Sequence, residues 1–133
     1  MKHIHFDVAS DGFYGAYWAC RDGSDCAVIA MLGDDPEDHM ARSAVKWLLR
    51  LGVNVLTMSP GKKDYGHHNY PLERIEKAMA WLKSHGNAKI GIAGGSTTGA
   101  LALTASSIFG GISLTIAMTP SDFVWQGFMQ GKK

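Results

Sequence analysis

The sequence lacks the compositional extremes that mark disordered, fibrous or disulfide-rich proteins. Its 133 residues include only 4 Pro and 2 Cys, while 46% are hydrophobic and 19% are charged. This balance excludes a disordered chain or a fibrous polymer. At this length the chain can bury one core but hardly two, which predicts a single domain over residues 1–133. Two cysteines, Cys20 and Cys26, are too few for a disulfide framework, so reduced thiols are expected.

An excess of charge of one sign is also missing. The chain has 13 Lys and Arg against 12 Asp and Glu, a formal net charge of +1. Because nucleic acids and membrane surfaces attract clustered cations, neither is an expected partner. No apolar run of signal-peptide length opens the sequence, which predicts a cytoplasmic protein. Residues 90–121 hold no charge, but six glycines and ten Ser or Thr interrupt them, which favours a buried core over a membrane span.

Strand-like and helix-like segments alternate along the chain. Two strand-like runs flank Asp11-Gly12, which predicts an antiparallel β-hairpin. Further strands are predicted at 26–32, 53–58, 89–93 and 112–118, and helices at 39–51, 71–85 and 97–109. Such alternation predicts an α/β fold: a mostly parallel sheet with right-handed crossovers and helices on both faces, preceded by the hairpin.

Several side chains are assigned to the core or the surface by their spacing. The first long helix is expected to face the core with Ala41, Ala44, Val45, Leu48 and Leu51. Trp47 and Trp81 fall on predicted helices and are expected to cover the sheet. His3 and His5 are expected on an exposed strand and His67-His68 in a solvated loop. The acids that precede the first long helix suit its first turn, so no metal site is predicted there; they are Asp34, Asp35, Glu37 and Asp38.

The most unusual segment is the small-residue turn from Gly94 to Ala100, between a predicted strand and a predicted helix. In open α/β sheets, ligands bind beyond the carboxyl ends of the strands, where this turn falls. Gly94-Gly95-Ser96 matches the first half of the G-x-S-x-G nucleophile elbow, but Thr98 stands where the last glycine belongs. Gly94 to Gly99 also fits the start of a phosphate-binding loop without its lysine. A turn with a purely structural role is the third interpretation.

A longer stretch resembles a known enzyme family. The run YPLERIEKAMAWLKSHGNAKIGIAGGSTTGALALTASSIFGGISLTIAMTPS, from Tyr70, is similar to the bile-acid-CoA:amino-acid N-acyltransferase and acyl-CoA thioesterase C-terminal family. This family is a branch of the α/β hydrolases. Its helix, strand and elbow follow one another here at the family's spacing, and residues 27–33 look like its strand and oxyanion loop. The resemblance spans about residues 26–123.

This resemblance implies a serine acyl hydrolase or acyltransferase. Ser96 would be the acyl-accepting nucleophile, and the backbone N–H groups of Thr97 and Asp34 would form the oxyanion hole. A small acyl substrate such as acyl-CoA is the implied ligand, and no cofactor is expected. Trp18 and Trp125 are candidates for lining the acyl pocket.

The order of the catalytic residues predicts that the triad is incomplete in these 133 residues. In this fold the nucleophile is followed by an acid and then a histidine. The 37 residues after Ser96 hold one acid, Asp122, and no histidine. The sequence therefore predicts a truncated α/β-hydrolase-like domain, the N-terminal part of a longer hydrolase, that associates with a missing C-terminal segment or another chain. The alternatives are a flavodoxin-like module that binds phosphate or a nucleotide, and a catalytically silent half-domain that binds a partner chain.

Overall fold

The computed structural model describes residues 3–31, 36–58, 72–95 and 112–118. The strands in these ranges are β1 (Ile4–Phe6), β2 (Gly15–Trp18), β3 (Cys26–Met31), β4 (Asn54–Met58), β5 (Lys89–Gly95) and β6 (Ile112–Met118). The helices are α1 (Val8–Asp11), α2 (His39–Arg50) and α3 (Glu73–Ser84). None of these helices is long and apolar enough to cross a bilayer.

All six strands form one sheet in the order β1-β2-β4-β3-β5-β6. β2 is antiparallel to both of its neighbours, whereas β4, β3, β5 and β6 are parallel to one another. The predicted mostly parallel sheet with an antiparallel hairpin is therefore confirmed. From β3 to β4 the chain moves toward β2, and from β4 to β5 it moves away from β2. Right-handed crossovers then require α2 and α3 to lie on opposite faces.

Each face of the sheet has its own hydrophobic core, because successive side chains of a strand point to opposite faces. On the α3 face, the core is built mainly from large side chains: Phe6, Phe13, Tyr17, Ile29, Met31, Leu56, Met58, Ile75, Met79, Leu82, Ile90 and Ile92. On the α2 face, Trp18 is joined mostly by small ones: Ala16, Val28, Ala30, Val45, Val55 and Ala93. The alternation runs through β2, β3 and β4, as expected for strands covered on both faces.

The ends of α2 follow from two local features. The Asp38 side chain accepts a hydrogen bond from the Ala41 amide (2.8 Å), which satisfies one of the free N–H groups of the first turn. After Leu51, Gly52 adopts φ +84°, a left-handed conformation that glycine reaches without strain. The assignment of Asp38 to the start of the helix is confirmed.

The hairpin connection differs from the predicted tight turn. A single helical turn, α1, joins β1 to β2, and the Asp7 side chain caps it by accepting from the Ser10 amide (2.8 Å). Gly12 does supply a positive φ of +84°, but it does so as the C-cap of this turn. The capping preference of Asp7 favours a helical turn here, because its carboxylate satisfies an amide of the first turn.

Two predicted core residues of α2 are on the surface. Leu51 is 61% exposed, so its assignment to the core was wrong, and Trp47 is 58% exposed, which does not fit its expected place covering the sheet. Ala41, Val45 and Leu48 are buried as predicted. Trp81 on α3 is partly buried and packs against the α3-face core, which agrees with its prediction. Leu51 and Trp47 lie on a flank of α2 that none of the described elements covers.

A buried polar network closes the amino-terminal edge of the parallel strands. Asn54 Oδ1 accepts from the Cys20 amide (2.8 Å), and its Nδ2 donates to Asn87 Oδ1 (2.8 Å) and the Ser24 carbonyl (3.0 Å). Asn87 Nδ2 in turn donates to the Leu82 carbonyl (3.1 Å). Both asparagines are buried, and each is satisfied by several partners, which makes this arrangement stabilising rather than costly.

Candidate active site

The carboxyl ends of the parallel strands form the edge where ligands bind in open α/β sheets. β3 and β5 are hydrogen-bonded neighbours, and Met31 is paired with Gly94 at this edge. Neighbouring strands lie about 5 Å apart, and parallel strands leave the sheet in the same direction. The ends of β3 and β5 therefore lie side by side at this edge.

The three predicted catalytic residues lie outside the described residues. Ser96 and Thr97 directly follow the end of β5, and Asp34 comes three positions after the end of β3. The structure describes the two strands that lead to these residues, not their side chains or amides. Their roles remain predictions. The predicted helix at 97–109, the acids Asp34 and Asp35, the His67-His68 loop and the segment with Asp122 and Trp125 also lie outside the described residues.

Arg74 is a charged residue that the sequence reasoning missed. It lies in the first turn of α3, which starts at the carboxyl edge because the chain leaves β4 there. Its side chain is only 8% exposed, and burial lowers its pKa. A guanidinium stays charged and binds carboxylates and phosphates in a bidentate manner. Arg74 is therefore a buried cation in the first turn of α3, and its place between Leu72 and Ile75 gave no signal of its burial.

His3 and His5 both contact Glu37, which lies just before α2. His5 Nδ1 donates to Glu37 Oε1 at 2.6 Å, and His3 Nε2 lies 3.4 Å from Glu37 Oε2. Burial by itself would raise the pKa of Glu37, but the hydrogen bond from His5 and the charges of both imidazoles outweigh it and lower the pKa. The Arg42 Nε donates to the Glu37 carbonyl (2.8 Å). We call these contacts the Glu37 clamp.

His5 lies exposed on β1, as predicted, whereas His3 comes just before the strand and is partly buried. The His3 ring stacks on the Trp18 ring with centroids 4.1 Å apart. Trp18 is completely buried, and its Nε1 donates to Thr57 Oγ1 (3.2 Å), so it belongs to the α2-face core. No sequence signal linked Glu37 to His5, 32 positions away.

The described residues offer neither a metal site nor an activated cysteine. No group of three or more His, Cys, Asp or Glu side chains in these ranges could hold a metal ion. Cys20 and Cys26 are free, as predicted. Partial burial and the Asp22 carboxylate raise the pKa of Cys20, and a hydrogen bond to Asp25 raises that of Cys26. A raised pKa leaves less thiolate, so neither cysteine is an activated nucleophile.

A large open cavity lies at the opposite end of the sheet from the carboxyl ends of β3 and β5. Its volume is about 830 Å³, and it is lined by residues that include Trp18, Cys20, Arg21, Leu49 and Arg50. Trp18 pairs with Val55 near the start of β4, so the cavity is at the amino-terminal edge of the parallel strands. The cavity is therefore far from the carboxyl ends of the strands, where ligands bind in open α/β sheets.

Comparison with known proteins identifies the fold. A solved structure of an esterase from Pyrococcus furiosus is similar to this chain, with a TM-score of 0.67 and 24% sequence identity. The match covers 90% of this chain and 48% of the esterase, so the chain spans about half the length of that protein. No family model matches the sequence, and no curated protein matches it. The likeness establishes an α/β-hydrolase-like fold.

Proposed function

We propose that this protein is part of a serine acyl hydrolase or acyltransferase that acts through an acyl-enzyme on Ser96. The proposal is carried by the position of Ser96 directly after β5, beside the strand that leads to Asp34, in an α/β-hydrolase-like sheet. The chain's similarity to an esterase of known structure supports hydrolase chemistry at a coarse level. The family resemblance supports the narrower choice of a thioester substrate such as acyl-CoA, in the cytoplasm.

In the proposed reaction, Ser96 Oγ attacks the carbonyl carbon of the acyl thioester and loses its proton to a general base. The Thr97 and Asp34 amides donate to the oxygen that becomes negative in the tetrahedral intermediate. Each such donor contributes about 3–4 kcal/mol because it points at charge that develops only there. The C–S bond then breaks, and the thiol leaves with a proton. Water or an amine takes the acyl group from Ser96 in the second half of the reaction.

The general base has to come from elsewhere, which makes a partner part of the proposal. All six histidines precede Ser96 in the sequence, whereas this fold places the histidine after the nucleophile. His3 and His5 are engaged with Glu37. We propose that an acid and a histidine are supplied by a further segment or another chain. Without them, oxyanion stabilisation and binding alone leave roughly 10³–10⁴-fold acceleration over water.

Labelling with a fluorophosphonate tests the nucleophile. The chain, isolated together with any segment or partner chain that supplies the acid and the histidine, is treated with the reagent, and the modified peptide is located by mass spectrometry. We expect an adduct on Ser96 that is lost in Ser96→Ala and kept in Ser106→Ala, a matched serine ten residues later. An adduct that survives Ser96→Ala would reject Ser96 as the nucleophile. Absent labelling together with saturable nucleotide binding would favour the phosphate-loop alternative, and absence of both would favour a silent half-domain.

A further inference from the structure

The cavity at the amino-terminal edge of the parallel strands has walls from two parts of the chain. One wall is the loop between β2 and β3, with Cys20, Arg21 and Asp22. The other wall is the end of α2, with Leu49 and Arg50. These five residues all lie in the described ranges. The volume of about 830 Å³ is within the range of small-molecule sites, roughly 300–1,000 Å³.

Hydrogen bonds hold the two walls of this cavity in place. The buried Asn54 side chain accepts from the Cys20 amide (2.8 Å) and donates to the Ser24 carbonyl (3.0 Å). The Gly23 amide donates to the Cys20 carbonyl (3.1 Å) and closes the turn between them. The Cys20 thiol donates to the Leu49 carbonyl (3.9 Å), which links the loop to α2. The cavity is therefore preformed, so a ligand does not have to order these walls when it binds.

The charges on the two walls favour an anion with a single charge. Arg21 on the loop and Arg50 in the last turn of α2 are both exposed. In the part of the chain that the structure describes, the ion pairs are those of Glu37, so neither arginine is paired with a carboxylate there. Two positive charges and the one negative charge of Asp22 leave +1. The carbonyl end of α2 adds about half a negative charge, which further disfavours a dianion.

The apolar part of the lining favours an aliphatic ligand. Trp18 and Leu49 both contribute to the cavity. Trp18 is completely buried, and its ring already contacts the His3 ring (4.1 Å) and the Arg42 guanidinium (5.3 Å). It therefore offers no open ring face on which an aromatic ligand could stack. An alkyl chain needs no such face, because its burial depends only on the apolar area that is removed from water.

We infer that this cavity binds an aliphatic monocarboxylate, with its carboxylate between Arg21 and Arg50 and its alkyl chain against Leu49. A planar guanidinium matches a carboxylate with two parallel hydrogen bonds, and here one guanidinium is available on each wall. An alkylamine would meet like charge on both walls instead. The inference goes beyond the acyl-transfer proposal and does not depend on Ser96.

Protection of Cys20 from alkylation by octanoate tests the inference. The full 133-residue chain is treated with iodoacetamide, and the rates at the two free cysteines are separated by peptide mass spectrometry. Cys20 lines the cavity and Cys26 does not, so Cys26 is the reference within the same molecule. We expect octanoate at about ten times its Kd to slow alkylation of Cys20 about tenfold. Cys26 should keep its rate, and octan-1-ol and octylamine should protect Cys20 far less.

Charge variants separate the proposed contacts from a general effect of the alkyl chain. Arg21→Gln and Arg50→Gln should each raise the octanoate concentration that gives half protection about threefold, and the double variant about tenfold. Asp22→Asn should lower it about twofold, because an opposing charge is removed. Lys46→Gln is the matched control, an exposed cation of α2 that does not line the cavity, and it should change nothing. Each variant is compared with its own rate at Cys20 without octanoate, and thermal unfolding verifies its fold.

Four results would overturn the inference. These are no saturable protection of Cys20, equal protection by octan-1-ol, protection that Arg21→Gln together with Arg50→Gln leaves unchanged, and equal protection of Cys26. Ser96→Ala should bind octanoate at the cavity as the unchanged chain does. The cavity can therefore fail while fluorophosphonate labelling succeeds, and the reverse also holds.

Discussion

The cores on the two faces of the sheet are built from side chains of different size. The α3 face buries large aliphatic and aromatic residues, and the aromatic rings of Phe6, Phe13 and Tyr17 close it beside Trp81. The α2 face uses alanine and valine around a single buried Trp18. Large side chains remove more apolar area from water, about 25 cal/mol per Å². The comparison indicates that the α3 face contributes most of the stability, whereas none of the described elements covers the flank of α2 that carries Trp47 and Leu51.

The largest expected effect compares one core residue from each face. Ile92→Ala on the α3 face should lower the free energy of unfolding by about 3–4 kcal/mol, because three carbons are lost and a cavity remains. Val55→Ala on the α2 face removes two carbons and should cost about 2 kcal/mol. Urea unfolding at constant m-value measures both. Equal losses would contradict the assignment of stability to the α3 face.

The second effect concerns the network of Asn54 and Asn87, which lies on the α3 face at the amino-terminal edge of the parallel strands. Asn87→Ala deprives buried Asn54 of a partner and leaves the Leu82 carbonyl without a side-chain donor. The loss should be about 2 kcal/mol in thermal or urea unfolding. Ser84→Ala is the control, since that hydroxyl is exposed, and it should cost less than about 0.5 kcal/mol. A similar loss in both variants would show that burial of the network does not matter.

The third effect concerns the hydrogen bond between Trp18 and Thr57 on the α2 face. Thr57→Val removes the acceptor of the buried Trp18 Nε1–H and should cost about 1–1.5 kcal/mol. In a Trp18→Phe background the same substitution should cost less, because no donor is left unsatisfied. A double-mutant cycle from four unfolding curves measures this coupling. Additive losses would mean that the hydrogen bond adds nothing to this face.

The smallest expected effect comes from the Glu37 clamp beside the α2 face. The pKa of Glu37 is lowered in the folded state, so its contribution is present above the ordinary glutamate range and is lost as the pH falls through the folded-state pKa. Glu37→Gln should therefore cost about 0.5 kcal/mol near pH 7 and almost nothing at strongly acidic pH. Unfolding curves between pH 7 and pH 3 measure the difference. If Glu37→Gln lowers the free energy of unfolding equally at every pH, Glu37 stabilises the fold by packing and not by its charge.

The position and type of the described strands and of α2 and α3 could be predicted from the sequence. Strands were predicted at 26–32 and 53–58, where β3 and β4 lie, and a helix was predicted at 71–85, where α3 lies. The exposure of Trp47 and Leu51 could not be predicted, because a wide apolar arc on a helix does not reveal how much of it another element covers. The candidate site was predicted from the Gly94–Gly99 turn and the resemblance, and its residues lie outside the described residues.

The sequence by itself determined the local structure and the two-sided pattern of the strands, because these depend on residues within a few positions of each other. Only the tertiary structure decided which charges and amides meet. His5 meets Glu37 across 32 positions, and Asn54 meets Asn87 across 33. Such pairs form because parallel crossovers bring distant strand ends to the same edge, and no local periodicity encodes that distance.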